Sequence, residues 1–403
     1  GQIIMANVSS SNGLEKRPRL AFRNTDGSHF PCWRQTSLGC IIEPYSEKVY
    51  GEHDYEVLTS SREGLQRQED HFGSKQRHDT DGYNIIPFGY CTYRNRSDDG
   101  KFAFNINTIS EKAIVSKFYP VFRFTNANST FMAEFLNSSP RVKKKLSVLA
   151  VGTSQVVLSF AALKAAKFDL PCKDEQDKIA AFLECLNTRI ENQRTLVVAL
   201  KKYKRGVVDG IFSRKLNFSY PQTWAELEIS ELFMPISDKG YSDKIVLTIV
   251  QGEGTMPRDS VDRRIAYDKS TISSYKRVLP NDFILHLRSF EGGLEIVNEE
   301  GVVSPAYTIL RARNEIIPLF FYTFFRSYWF INSKLRISVE GIRDGKSINM
   351  NTFWHIKVPV PSIEEQRHIS ALISSIDNRI KIAEFEYKRL LQIRVGLMQQ
   401  LFI

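Results

Sequence analysis

The chain has 403 residues, of which 42% are hydrophobic, enough to build real cores in about two to four domains. Its longest greasy run, residues 316–325, is ten residues, well short of the roughly 20 a bilayer requires. The five cysteines are odd in number and form no CxxC pair, which argues for free thiols rather than a disulfide framework. A formal net charge of +10 favours a polyanion partner such as nucleic acid, with a merely soluble basic surface as the plain alternative.

In chain order, residues 1–19 read as a polar leader, expected to be partly disordered, because they lack the apolar core of a signal peptide. The phrase Phe30-Pro31-Cys32-Trp33 follows, then Leu38-Gly39. Short β-branched and aromatic runs broken by Pro, Gly, Asn and Asp, such as 83–94, predict strands. A helix is predicted near 129–148, then a turn at Gly152-Thr153-Ser154-Gln155, and after Pro171 a long helix over about 172–212. A second Tyr220-Pro221-Gln222-Thr223-Trp224 phrase then opens the same succession. Strands near 275–288, a helix near 316–335, a turn at Arg343-Asp344-Gly345-Lys346-Ser347, Pro361 and a final long helix complete it.

The chain therefore says the same thing twice. Residues 170–190 match 360–380 at an offset of 190, and Lys167, Leu200 and Phe212 find Lys357, Leu390 and Phe402 at that offset. On the first long helix Ile179, Leu183, Leu186, Ile190, Val197, Leu200, Tyr203, Val207 and Ile211 recur mostly at steps of three and four. Ile369, Ile373, Ile376, Ile380, Tyr387, Leu390, Leu397 and Leu401 do so on the second. Each pattern gives one apolar stripe that seeks a partner helix. Ser362 and Glu365 are spaced as a capping box; Cys172 replaces the serine in the first copy and predicts a weaker cap. The expected architecture is a mixed α/β fold with two globular domains joined by two long helices packed as an antiparallel coiled coil, a pseudo-two-fold internal repeat. The plain alternative is two separate helices, each packed on its own domain. A stiff rod about 60 Å long would hold two domains at a fixed separation.

Catalytic patterns are scarce. Residues 341–347, GIRDGKS, fall one residue short of a phosphate loop, and no HxxxH pair or dinucleotide glycine fingerprint occurs. His71 and His78 lie near Asp70, Asp79 and Asp81, which reads as a solvated polar loop rather than a metal site. Basic residues instead crowd the strand-and-loop regions. Lys75, Arg77, Arg94, Arg96 and Lys101 do so in the first copy, and Arg258, Lys269, Lys276, Arg277 and Arg288 in the second. Such groups neutralise phosphates, and arginine forks also read guanine edges. Tyr93 and Tyr275 stand among them as candidates to pack on sugars or stack on a base. Thr153, Ser154 and Gln155, with Ser273, Arg343, Lys346 and Ser347, add small donors suited to phosphate. For every one of these residues an idle exposed polar group or tight turn is the competing reading. Lys143, Lys144 and Lys145 read as a solvated helix face.

Taken together, Trp33 with Leu38-Gly39, the Gly152–Gln155 turn and the repeated helix openings Pro171/Glu175/Gln176 and Pro361/Glu365/Gln366 closely resemble the specificity subunit of type I restriction–modification systems, over about 20–403. The resemblance implies target-recognition domains at 20–155 and 216–345, and conserved helical regions at 156–215 and 346–403. It implies a non-catalytic, cytoplasmic DNA-binding subunit that reads a bipartite, asymmetric duplex and scaffolds two methylation subunits and restriction subunits. S-adenosylmethionine, ATP and Mg are then expected on those partners, and no cofactor, metal or membrane contact on this chain. The second copy departs from the pattern at Ile229 and Leu232, where the first has Leu38-Gly39. The rival is a two-module nucleic-acid-binding or protein-interaction scaffold without restriction partners.

Overall fold

The computed structural model describes residues 4–5, 18–73, 79–216, 223–261, 269–286, 292–341 and 346–402, the side chains of 4–5 and 269–270 excepted. Its contacts divide the chain into two units, Gly1–Gln193 with Glu386–Ile403, and Arg194–Phe385. Two long helices, Lys173–Phe212 and Ile363–Leu401, each contribute to both.

In the first unit two four-stranded sheets carry the fold. One is wholly antiparallel, in the order Phe104–Ile106, Cys91–Tyr93, Val121–Phe124, Ile42–Tyr45. The other runs Gly64–Arg67, Glu56–Ser61, Lys112–Val115, Asn84–Pro87, with its central pair parallel. The single helix expected near 129–148 is two, Ser129–Ser138 and Pro140–Leu149. Pro140 cannot donate into a continuing helix, and the Ser139 hydroxyl accepts from the Val142 N–H to start the second. The core gathers Trp33, Phe104, Phe122, Phe131 and Phe135 with Ile179 and Leu183 of the first long helix and Met398, Leu401 and Phe402 from the end of the second. The Phe402 ring lies edge-on to Phe131 and Phe135 at 5.9 and 5.6 Å.

The second unit has one four-stranded antiparallel sheet, Phe233–Ile236, Tyr307–Ala312, Phe283–His286, Glu295–Ile296, and a separate hairpin, Leu247–Val250 with Gly254–Pro257. The helix expected at 316–335 ends early: Pro318–Phe325 is α-helical, and Phe330–Ser338 continues in irregular wide and tight turns. Phe320, Phe321, Phe324 and Phe325 are fully buried there. Phe212, from the end of the first long helix, meets Phe320 and Phe324 at 5.6 and 5.0 Å. Phe212 thus does in this unit what Phe402 does in the other.

The two long helices pack antiparallel within each unit. Arg394 donates to Asn187 at 2.9 Å and makes a two-bonded ion pair with Glu134 in the first. Lys201 reaches Glu384 at 2.7 Å and Lys204 reaches Asp377 at 2.6 Å in the second. Most of the predicted seam is buried: Ile179, Leu183, Ile190 and Leu390 in one unit, Ile369, Ile373, Ile376 and Ile380 in the other. Leu186 and Leu200 are only partly buried, and Tyr203 is 54% exposed, because a straight 3.6-residue helix carries a strict stripe slowly off the seam.

The start of each long helix shows why its motif repeats. Lys167–Leu170 pairs with Arg34–Ser37, and Lys357–Val360 with Ala225–Glu228. Beyond the proline, the buried Gln176 amide donates to the Pro171 carbonyl and accepts from the Asn128 backbone N–H, the cap of the Ser129–Ser138 helix. Gln366 repeats both bonds, to the Pro361 carbonyl and from the Ile317 N–H that caps Pro318–Phe325. Glu175 accepts from the Trp33 indole at 3.2 Å. The capping box is half formed, since the Ser362 hydroxyl accepts from the Glu365 N–H at 3.3 Å while Gln366 rather than Glu365 does the bridging.

Replacing Gln176 or Gln366 by Ala leaves a buried carbonyl and a half-buried N–H unpaired, so each change should destabilise the chain by about 1–3 kcal/mol. Urea unfolding monitored by fluorescence will read this; a change below about 0.5 kcal/mol would show the bridge to be idle.

Candidate nucleic-acid interface

The predicted basic residues of the first unit converge only in part. Lys75 and Arg77 lie outside the described residues. Arg94 and Arg96 are exposed on a small cleft of about 110 Å³ that also takes in Ser60, Ser61, Arg62, Ser97, Asp98 and Lys101. Arg62 and Lys101 share the Asp99 carboxylate, at 2.5 and 3.4 Å. Two hydrogen bonds from the Lys101 backbone N–H, to Ser97 and Asp99, fix that loop. Arg96 lies over the Phe118 ring at 5.4 Å, and that ring is itself 53% exposed. Among the described residues Arg94 has no acidic partner. The result is a fork-bearing, electropositive notch with hydroxyls on its wall, suited to phosphate oxygens and base edges.

The Gly152–Gln155 turn joins this notch. Val151 and Val157 bond each other across it, and Val156 and Val157 pair with Ser97 and Arg96. Gly152 has φ +144°, and a Cβ there would stand 2.2 Å from the Gln155 carbonyl, so only glycine closes the hairpin. Thr153, Ser154 and Gln155 are exposed, and the Gln155 amide donates to Asp98 at 3.0 Å. Tyr93 corrects the sequence expectation. Its ring is fully buried against Phe104 and its hydroxyl donates to the Leu158 carbonyl, since a strand of wholly inward residues leaves it no outer face.

The second unit uses its predicted residues differently. Arg288 and Arg343 lie outside the described residues, as does the Lys269 side chain. Ser273 is exposed on a short turn. Lys276 is not a free surface cation: its ammonium donates to the Tyr307 carbonyl at 2.7 Å, and burial, then the neighbouring Lys239, pulls its pKa down. Tyr275 is buried too. Arg277 is spent on Glu300 and on the Tyr241 ring. Lys346 is exposed, and Ser347 pairs with Glu340 in a two-residue ladder, the counterpart of the first unit's hairpin.

A cavity of about 530 Å³ in the second unit was not foreseen. Ile249, Gln251, Arg258, Ile284, His286 and Tyr307 line it. The His286 and Tyr307 rings lie 5.3 Å apart, and burial raises the Tyr307 phenol while Arg258 opposes the shift. Glu295 on its wall is satisfied by Gly252 and Tyr322 at 2.9 Å and by Arg326. Arg62 at the notch of the first unit, and Gln251 and His286 at the cavity of the second, escaped the sequence reading because only contacts distant in sequence bring each to its opening. Among the described residues no group of side chains could hold a metal ion, and no helix is long and apolar enough to cross a membrane.

Comparison with known proteins accords with this doubled architecture. A model for the type I restriction modification DNA specificity domain matches twice, over 43–200 and 221–392. The chain belongs to that family. It is similar to the type I restriction enzyme MjaVIII specificity subunit of Methanocaldococcus jannaschii, at 24% identity over 215 residues, 51% of this chain and 47% of that one. A sequence assigned as the MjaX specificity subunit of the same organism is 24% identical over 224 residues, 51% of each chain. The chain thus spans about half the length of the curated relatives it matches. Its fold resembles the type I S subunit from M. genitalium, at TM-score 0.54 and 18% identity over 96% of this chain and 99% of that one. A chain solved in a study of complex assembly and conformational transition in a type I system gives TM-score 0.55 at 16% identity, over 92% and 97%.

Gly152→Ala should destabilise the first unit by more than about 1 kcal/mol, because φ and the Gln155 carbonyl both oppose a Cβ. Equal urea midpoints for the variant and the parent would contradict the hairpin geometry.

Proposed function

We propose that this chain reads a bipartite, asymmetric sequence in duplex DNA and serves as the scaffold for two methylation subunits and the restriction subunits of a type I system. The observation that carries the reading is that one repeated frame presents two unlike surfaces. The first unit offers a small arginine notch, and the second a larger cavity with aliphatic and aromatic walls. Unlike donor sets select unlike base patterns, so the two half-sites differ. Arg94, Arg96 and the Thr153–Gln155 hairpin face the first half-site, and Arg258 and Gln251 the second.

The scaffold role is supported by the long helices. In the second unit Leu196, Val198, Tyr203, Ile382 and Phe385 are exposed on them, apolar side chains available for a partner subunit to bury. S-adenosylmethionine, ATP and Mg belong to those partners in this reading, and the complex works in the cytoplasm.

Selection from random duplex DNA by the assembled complex should return a split motif with two different halves. Arg94→Ala/Arg96→Ala should relax the preference in one half only, at about 1–3 kcal/mol for each base no longer read. A palindromic motif, a continuous one, or no enrichment at all would reject the reading.

A further inference from the structure

The arginine notch of the first unit does not end at Lys101. A groove of about 640 Å³ continues from it, sharing Arg62, Lys101 and Ala103 with the notch. The groove runs past the Phe104–Ile106 strand and the Ser129–Ser138 helix to Lys143. Neither the family match nor the sequence motifs assign it a role.

Its chemistry is selective by exhaustion. The amides that would read base edges are already used. Asn137 makes both of its bonds with the Phe104 backbone, accepting at 2.9 Å and donating at 2.7 Å. The Asn105 amide donates to Ser60 and to the Ser61 carbonyl. Of the groove's acids, Glu134 is held by two bonds from Arg394 and by Asn187, and Glu63 is exposed on the wall. The cations still available are ammoniums, since Arg62 is paired with Asp99 and Arg394 with Glu134. Lys101 is exposed and only loosely paired, and Lys143 has no acidic partner among the described residues. The loop and the helix that carry them are packed together: the Gly100 backbone (φ +72°) lies so close to Ser147 of the Pro140–Leu149 helix that a Cβ there would be 2.6 Å from its hydroxyl.

We propose that this groove seats the sugar–phosphate backbone of duplex DNA, adding affinity without sequence information. The proposal rests on the reading of the chain as a DNA-binding subunit. Ammonium groups act as point charges on phosphate, whereas base readout needs free amides or forks. The notch and the groove therefore divide the labour: Arg94 and Arg96 face bases, and Lys101 and Lys143 hold the strand that leads away.

The test is binding of the full chain to a fluorescein-labelled duplex of random sequence across a salt series, read by anisotropy. Each phosphate left without its lysine should lower the slope of log affinity against log salt by about 0.9. Lys101→Gln/Lys143→Gln should therefore reduce the slope by about two, and Lys143→Gln alone, on an exposed helix face, by about one. The motif recovered from random-sequence selection by Lys143→Gln, which lies outside the notch, should stay the same. A slope equal to that of the parent overturns the proposal, as does a changed motif. A loss of partner-subunit binding at unchanged slope overturns it too, and assigns the groove to a protein. Should the parent chain bind no duplex at any salt, the DNA-binding reading itself falls.

Discussion

Two buried glutamine side chains hold this molecule's plan together. Gln176 and Gln366 each stand in the first turn of a long helix, donate to the carbonyl of the proline before it, and accept from the backbone N–H that caps a shorter helix of the globular part. A half-buried backbone N–H and a buried carbonyl are satisfied by one side chain. Glutamine suits the position because its single amide both donates and accepts; glutamate would present two acceptors to a carbonyl. The direction of each long helix is thereby tied to the globular layer it serves.

The far ends of the helices complete the arrangement. Each unit's aromatic core is closed by the tail of the helix that begins among the other unit's residues, Phe402 in one and Phe212 in the other. The first unit is built from two separate stretches of chain, the second from one continuous stretch. The frame is conserved within the molecule while the surfaces are not, and this is how one fold serves two readings. The paired strands, the proline, the glutamine and the phenylalanine recur at an offset close to 190, whereas the notch in one unit and the cavity in the other share no residue pattern.

The frame was legible in the sequence because a buried helix seam and a helix start impose periodicity and fixed chemistry. Ile179, Leu183, Ile369 and Ile373 announce their burial by spacing alone. The candidate interface was legible only as a supply of cations. Spacing cannot tell that Lys276 turns inward to a carbonyl, or that Arg277 is spent on Glu300, since both depend on strands far away in sequence. Tyr93 looked like a stacking platform for the same reason: alternation predicts an outer face, and a strand covered on both faces has none. The break at Pro140, by contrast, is readable from the residue itself, which has no N–H to continue a helix.

The central claim is that the tail of the second long helix is a structural part of the first unit. Native-state hydrogen exchange on Leu401→Ala/Phe402→Ala tests it most directly. Removing those two buried side chains should speed exchange through the Cys91–Tyr93 and Val121–Phe124 strands and the Ser129–Ser138 helix, while the Phe283–His286 and Tyr307–Ala312 strands keep their protection. Unaltered protection in the first unit, or an equal loss in both, would contradict the account.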